Sequence, residues 1–334
     1  MEKRTENKPG RFSRLFGGSA RPRRHHALMI ALVLVALLSL AGVVSADTAW
    51  LGTVPQPTVN GTVTGDVAIK FVNTWKTDNP INNDNTTAEF TGLQTSNIQF
   101  ARLYIVPYTA SMTENWQGTV SVGLTRPDTE PVTLANLQAL DREYFNSTEG
   151  TNCTPSLSAP FVTSGNGLCR VTSDFVAIFD VKDYMNKTSM KLYINTTNVS
   201  GRFDGRIKEA VLVYGYNSDG GATTRYMINE GMDPSTYYDD GYDATTVFYL
   251  PSGGTVSSAT LYTNDIASAN GYYEWNTNPT TPSSTVGSNS YARVNQFDLG
   301  TNVNLGMDNT LLYDRYGTNK WYKTGMALLK VTYS

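Results

Sequence analysis

The stretch Ile98–Tyr104, with the sequence IQFARLY, has a counterpart in Val256–Tyr262, with the sequence VSSATLY. Both follow the pattern aliphatic-x-x-Ala-x-Leu-Tyr, which places Ala and Leu on one face of an extended chain. A second match lies further along, because Phe179–Val181 (FDV) and Phe297–Leu299 (FDL) each precede a strand-like apolar run by roughly thirty residues. The pattern predicts an internal duplication, with chance similarity between β-rich segments as the alternative.

The composition around this repeat favours β-structure. Thr, Tyr, Asn, Ser, Gly and Val are abundant, with 20 Tyr and 28 Gly, and long runs at helical spacing are absent. Clusters of Asn, Gly, Asp and Pro supply turns between the strands. We therefore expect an all-β fold of two tandem, jelly-roll-like β-sandwich units. One short helix with an apolar face is expected at Leu134–Leu140.

The expected domain boundaries follow from the repeat. Residues 1–46 form a targeting segment, residues 47–232 the first sandwich, and residues 233–334 a second, smaller sandwich. The first unit differs from the second mainly by an insertion at about residues 125–170.

The N-terminal segment has the order of a secretory signal. The basic stretch Arg21–His26 precedes an apolar run at Ala27–Val44, and small residues at 44–46 suit cleavage before Asp47. The alternative is an uncleaved membrane anchor, for which this run is at the lower limit of length. In either case the basic flank stays inside and the rest of the chain is exported, which predicts an extracellular or cell-surface location.

The two histidines, His25 and His26, lie in this segment, so the exported chain contains none. That excludes Ser-His-Asp and Cys-His catalysis. Without residues 1–46 the chain has 18 basic and 27 acidic residues, a formal charge of −9. This charge offers no basic footprint for nucleic acid.

The two cysteines, Cys153 and Cys169, are sixteen residues apart in a Ser/Gly/Pro-rich stretch. In an exported chain such a lone pair predicts a disulfide, worth about 3 kcal/mol for a loop of this size. The alternative, a metal site, lacks further Cys or His ligands.

Seven Asn-x-Ser/Thr sequons indicate N-glycosylation, and none follows residue 200. The candidate acceptors are Asn60, Asn85, Asn146, Asn152, Asn186, Asn195 and Asn198.

Acidic turns are the best candidates for a metal. The run from 233 to 243 brings four carboxylates together with a glycine, at a density that suits Ca²⁺, although the EF-hand spacing is not met. The alternative is an exposed linker between the units. The candidate ligands are Asp233, Asp239, Asp240 and Asp243. Ca²⁺ is the one cofactor that the sequence leaves open.

Three further acidic positions have a structural interpretation. Asp180 and Asp298 occupy matching positions in the repeat and are expected to close turns by accepting backbone N–H bonds, with a shared ligand as the alternative. Asp204 is expected to pair with Arg206 or to hold a turn with Gly205 at positive φ.

Several aromatic residues are candidates for stacking on sugar rings, namely Tyr272, Trp275 and Trp321. The alternative is that they form cross-strand pairs in a half-buried sheet.

The stretch Phe203–Lys208 (FDGRIK), followed by Leu212–Tyr214 and Tyr226–Gly231, resembles a domain-of-unknown-function family. Ala101–Tyr104 and Gly61–Asp66 fit the same pattern, and the resemblance covers roughly residues 55–275. That family is found in secreted and cell-surface proteins of methanogenic archaea. The resemblance implies location and type of organism and brings no activity.

These observations predict an exported archaeal surface protein that is not an enzyme and serves as a structural subunit of an envelope layer, sheath or fibre. Its partners would be further copies or other envelope proteins, paired through strand edges at Asp47–Asp66 or Leu328–Tyr333. The alternative is an adhesin or carbohydrate-binding module. A third hypothesis is a secreted glycan-acting hydrolase with paired carboxylates.

Overall fold

Buried and exposed residues alternate along strands of the protein, as the sequence predicts. In Asn83–Thr91 every second residue is buried, from Asp84 to Phe90, and the residues between them are exposed. The computed structural model describes residues 47–50, 55–76, 83–108, 116–125, 132–142, 161–163, 169–171, 174, 176–235, 244–266, 271–315 and 322–334. Within these ranges every strand pairing is antiparallel and no α-helix occurs, which confirms the all-β prediction.

Ten strands form one large inner sheet. Its strands are β1 (Asp47–Trp50), β2 (Gln56–Asn73), β4 (Ile98–Pro107), β9 (Val176–Asp180), β11 (Ile207–Asn217), β12 (Thr223–Ser235), β14 (Val256–Ile266), β17 (Ser284–Ser288), β18 (Ala292–Gly300) and β20 (Tyr322–Tyr333). The order across the sheet is β1-β9-β4-β11-β2-β12-β20-β14-β18-β17. We call the strands from β1 to β2 the first half and those from β12 to β17 the second half.

Two smaller sheets flank the inner sheet. The first outer sheet has the order β3-β10-β5-β6, and the second has the order β13-β19-β15-β16. Their strands are β3 (Asn83–Thr91), β5 (Trp116–Thr125), β6 (Val132–Arg142), β10 (Ser189–Gly201), β13 (Ala244–Leu250), β15 (Gly271–Trp275), β16 (Asn278–Thr280) and β19 (Met307–Arg315). The short strands β7 (Phe161–Thr163) and β8 (Cys169–Val171) pair with each other, and a 3₁₀ turn covers Lys182–Tyr184.

Among the described residues, three hydrophobic cores separate four layers. The first core lies between the first half and the first outer sheet and contains Leu103, Leu212 and Leu192. The third core lies between the second half and the second outer sheet. The middle core draws side chains from the opposite faces of both halves, among them Val211 and Leu328. The two halves of the inner sheet therefore pack face to face, and each carries its outer sheet on the far side.

The two halves have the same strand order. The series β9-β4-β11-β2 corresponds to β18-β14-β20-β12, and the outer sheets correspond in the same way. This order agrees with the repeat in the sequence, while an origin by duplication stays a prediction. The expected boundary between residues 232 and 233 falls inside β12.

Strand β2 belongs to both halves. Its residues 56–64 pair with β12, and its residues 65–73 pair with β11. The change of partner occurs at Gly65, where an added Cβ would lie 2.2 Å from the carbonyl oxygen of Tyr216. Only a residue without a side chain lets the chain approach its neighbour so closely.

Two expectations about secondary structure are wrong. Leu134–Leu140 lies within β6 rather than in a helix, because pairing with β5 supplies its backbone hydrogen bonds and overrides the local pattern. Leu328–Tyr333 is no free edge, because β20 has β12 on one side and β14 on the other. The other proposed edge is Asp47–Asp66. Its first part, Asp47–Trp50, is the terminal strand β1 of the inner sheet.

The predicted signal segment, residues 1–46, lies outside the described residues. Among those that are described, none belongs to a helix with the length and hydropathy needed to cross a bilayer.

Candidate functional site

Charged and aromatic side chains collect at one end of the inner sheet, where the two halves meet. Trp75 follows β2, Tyr108 follows β4, Arg206 and Lys208 stand at the start of β11, and Tyr291 immediately precedes β18. The antiparallel pairing dictates this gathering, since β2 and β4 end where their neighbour β11 begins. We call these five residues the junction cluster.

The turn into β11 presents Arg206 to the cluster. Arg206 donates two hydrogen bonds to the carboxylate of Asp204, from Nε at 2.6 Å and from Nη2 at 2.7 Å. Gly205 between them has φ +80°, and its N–H donates to the carbonyl oxygen of Tyr108. Both the predicted Asp204–Arg206 pair and the positive φ of Gly205 are confirmed. Burial alone would lower the pKa of Arg206. The hydrogen bonds and charge of Asp204 outweigh this effect and raise the pKa of Arg206 above its ordinary value.

The aromatic rings cover the two cations. The Arg206 guanidinium lies 4.3 Å from the centre of the Trp75 ring, and Lys208 Nζ lies 4.8 Å from that of Tyr108. Tyr291, from the second half, has its ring centre 4.3 Å from that of Trp75. Such cation–π contacts contribute about 0.5–2 kcal/mol each, more when water is excluded. The aromatic contacts therefore join the two halves at the surface.

Beneath the rings a buried carboxylate binds lysines from both halves. Asp174 forms ion pairs with Lys208, at 2.7 Å, and with Lys323 of β20, and all three side chains are almost completely buried. Burial raises the pKa of Asp174, but attraction to the two lysines outweighs it and holds the pKa below its ordinary value. Burial lowers the pKa of Lys208 to about 8, against the attraction of Asp174. The trio links strands of both halves through one carboxylate.

Glu209, next to Lys208 in β11, is fully buried. Burial raises its pKa to about 8, although the neighbouring Asn264 amide and Lys208 act in the other direction. Neither carboxyl oxygen has a hydrogen bond of normal geometry among the described residues. At neutral pH Glu209 is therefore mainly the uncharged acid, which is the form that burial favours.

Two other buried carboxylates accept hydrogen bonds from their neighbours. Asp265 accepts from the hydroxyls of Thr263 and Tyr273 at 2.8 and 2.6 Å, and from the amide of Asn295 at 2.7 Å. Between the halves, the Tyr104 hydroxyl donates to Glu230 at 2.6 Å. Burial raises the pKa of Tyr104 well above its ordinary value, and the Glu230 charge adds to the effect. These networks hold strands together and leave their carboxylates no access to a substrate.

The described sequons lie mostly on the surface. Asn60, Asn85, Asn186 and Asn195 are exposed, whereas Asn198 is half-buried and donates to the carbonyl oxygen of Gly201 at 3.1 Å. Asn146 and Asn152 lie outside the described residues.

The aromatic candidates are not brought together. Trp275 is 1% exposed in the third core and donates its indole N–H to the carbonyl oxygen of Asn302, so the stacking role predicted for it is wrong. Its strand faces the core because β15 alternates around Tyr273 and Trp275. Tyr272 is half-exposed and donates to Glu274 at 2.6 Å. Trp321 lies outside the described residues.

The predicted disulfide and calcium site lie where the structure gives no side chains. Cys153, Asp239, Asp240 and Asp243 are outside the described residues, and Cys169 in β8 and Asp233 in β12 have only their backbone described. No group of three metal-ligating side chains occurs among the residues that could be searched. The disulfide and the calcium site therefore remain predictions.

Sequence reasoning missed most of the junction cluster. It singled out Asp204 and Arg206 but neither Trp75 nor Tyr291, and it did not notice Asp174 with its lysines. One signal was present, because Lys208 and Glu209 stand at the head of an otherwise apolar strand, where charges need partners.

The fold and the site define an all-β protein of two face-to-face sandwiches that are joined by buried ion pairs and an aromatic surface cluster. The chain belongs to the family described as protein of unknown function (DUF3344), whose profile matches residues 50–332. This confirms the resemblance to a family of unknown function and extends it beyond residues 55–275.

No curated protein matches the chain in sequence. Among solved structures, PNGF-II in a C2 crystal form is similar, with 8% identity and a TM-score of 0.24 over 83% of this chain and 65% of that one. The chain thus spans about two thirds of the length of PNGF-II. A likeness of this degree carries no function across.

Proposed function

We propose that this protein is exported and serves as a structural building unit of an extracellular layer, sheath or fibre. The observation that carries the proposal is the binding of Lys208 and Lys323, from opposite halves, to the same buried carboxylate, that of Asp174. Such a connection fixes the two sandwiches against each other. A rigid unit of fixed shape is what a repeating assembly requires.

The sequence adds the location. The basic and apolar order of residues 21–46 supports export, and exposed sequon asparagines such as Asn60 and Asn186 support passage through a glycosylating compartment. An archaeal source remains a proposal based on the resemblance of the FDGRIK stretch. Self-association is the partner interaction that this role requires.

Terminal strands and exposed apolar side chains offer routes to assembly. Among the described strands, β1 and β17 lie at the ends of the inner sheet and each pair with one neighbour. The outward face of the second outer sheet exposes Val247 and Tyr249, and Met307 is exposed at the start of β19. Unpaired strands and exposed apolar side chains are the usual starting points for contacts between copies.

The test is assembly of the exported chain, residues 47–334. Sedimentation velocity over a hundredfold concentration range, with and without Ca²⁺, is expected to show growing oligomers. Electron microscopy of native envelopes with an antibody to the protein is expected to show regular spacing. A chain that stays monomeric throughout, together with scattered label on the envelope, contradicts the structural role.

Carbohydrate binding is the second candidate, because the junction cluster has an open aromatic surface. Tyr291 is 42% exposed beside half-exposed Trp75, and the side chains of Asn73 and Asn289 are hydrogen-bonded to each other at its margin. Aromatic rings flanked by amides are suited to stack on sugars and bond their hydroxyls.

A glycan array with the wild-type chain and Tyr291→Ala tests this candidate. Binding that Tyr291→Ala loses, and that Tyr249→Ala on the second outer sheet retains, supports it. Tyr249 is the matched control because it is also exposed, at 56%, and lies away from the cluster. A glycan signal that both variants retain contradicts a site at Tyr291.

A further inference from the structure

Two sequon asparagines stand directly opposite each other in the first outer sheet. In the pairing of β10 with β3, Asn195 is the partner of Asn85. Residues that face each other across antiparallel strands have Cβ atoms about 5 Å apart and project from the same side of the sheet. Both asparagines are exposed, whereas the flanking residues Asp84, Thr86 and Thr196 are buried. Both therefore point outward, away from the first core.

Each asparagine has the chemical environment that N-glycosylation needs. The sequon hydroxyls, Thr87 and Thr197, are exposed on the same face. Among the described residues, neither Asn85 nor Asn195 has a side-chain hydrogen bond that would occupy its amide, in contrast to Asn198, whose Nδ2 donates to Gly201. The acceptor nitrogens of the pair are consequently available.

The surrounding surface leaves room for a glycan. Next to Asn195 on β5 is Ser121, and small polar residues such as Thr119 and Thr197 continue the face. The corresponding face of the second outer sheet differs, since Val247 and Tyr249 are exposed there and no sequon occurs. The two outer faces of the molecule are thus chemically distinct.

We propose that Asn85 and Asn195 form a paired glycan attachment site on the outward face of the first outer sheet. The proposal rests on export, as proposed above. In each transfer Nδ2 of the asparagine forms a bond to the anomeric carbon of a lipid-linked glycosyl phosphate. The bond from that carbon to the phosphate oxygen breaks, the lipid phosphate leaves with the bonding electrons, and Nδ2 loses one proton. The two glycans then lie side by side and cover this face, while the second outer sheet stays bare.

The experiment is glycopeptide mass spectrometry of the protein isolated from its native host. We expect a glycan on the peptide that contains Asn85 and on the one that contains Asn195. Asn85→Gln and Asn195→Gln should each remove one glycan mass from the intact protein, and the double variant should remove two. Thr87→Val and Thr197→Val should have the same effects, because they remove the sequon hydroxyl and keep the asparagine. Thr87→Ser is the matched control and should retain the glycan.

The outcomes separate this proposal from the export on which it rests. Glycans at other sequons, with Asn85 or Asn195 unmodified, overturn the paired site and leave export intact. A protein outside the cell without any glycan does the same. A protein without glycans that fractionates with the cytoplasm overturns both.

Discussion

Asp180 and Asp298 make the same turn in the two halves of the protein. The carboxylate of Asp180 accepts the backbone N–H of Lys182 at 3.0 Å, and that of Asp298 accepts the N–H of Gly300 at 2.9 Å. Each aspartate stands two residues before its donor, directly after a phenylalanine of the inner sheet. The expectation that both close turns is confirmed, and the equivalence extends the repeat from strand order to single hydrogen bonds.

Removal of either carboxylate should weaken the fold by a similar amount. We expect Asp180→Ala and Asp298→Ala each to lower the free energy of unfolding by about 1 kcal/mol, since each leaves one turn N–H to water. The effects should add in the double variant, because the two turns share no partners. Asn at either position keeps an acceptor and should cost less. Urea unfolding measures these differences, and a strongly non-additive double variant would contradict equivalent, independent turns.

The buried trio should be far more sensitive than an exposed ion pair. Asp174→Ala leaves Lys208 and Lys323 buried without their shared carboxylate, and we expect a loss of about 3–5 kcal/mol in the free energy of unfolding. The matched control is Asp66→Ala, because Asp66 binds Lys330 at 3.0 Å with its side chain half-exposed. That change should cost about 1 kcal/mol or less. Equal losses in chemical denaturation would show that Asp174 does not hold the halves together.

Glu209 should make stability depend on pH. Its pKa is raised in the folded protein to about 8 from an ordinary value of 4.5, so the folded state holds a proton that the unfolded state releases between these values. The stabilising contribution is complete below pH 4.5 and is lost as the pH rises towards 8. Lys208, whose pKa is lowered to about 8, acts in the opposite sense only above that pH.

Glu209→Gln removes this titration while the shape of the side chain is kept. We expect the urea midpoint of the wild type to fall between pH 5 and 8 more steeply than that of the variant. Glu89→Gln, exposed on β3, is the control and should keep the wild-type slope. If the slope survives in Glu209→Gln, another group is responsible for it.

Substitution of two glycines should distinguish the cost of backbone strain from the cost of a steric clash. Gly205 has φ +80° and an added Cβ would lie 2.6 Å from the Thr196 hydroxyl oxygen, whereas Gly220 has φ +69° and nothing within 4 Å. Gly220→Ala should cost about 1–2 kcal/mol from the left-handed conformation alone. Gly205→Ala should cost clearly more, because Thr196 also bonds the carbonyl oxygen of Gly205. Thermal unfolding compares the two, and equal costs would show that Thr196 yields to the new methyl group.

The sequence predicts those features that depend on local pattern. Alternation identified strands such as β4 and β14, and turn chemistry identified Asp180, Asp298 and the Asp204–Arg206 pair. The missed features depend on which strands become neighbours. The sequence around Trp275 does not show that β15 packs against the third core and buries the ring. The local pattern of Leu134–Leu140 is helical, and only the pairing with β5 makes this segment a strand.

Long-range charge pairing is hidden for the same reason. Asp174, Lys208 and Lys323 are far apart in the chain, and only the order of the inner sheet and its folding onto itself bring them into contact. A charged residue at the start of an apolar strand indicates that the folded protein contains a partner for it. It does not say which residue that partner is.

Strand β2 gives the molecule a mechanical property. Since residues 56–64 are bonded to β12 and residues 65–73 to β11, a pull along β2 loads these hydrogen bonds in shear. Many bonds must then break together, instead of opening one at a time from an end. A protein built in this way transmits tension between its two halves through a continuous backbone.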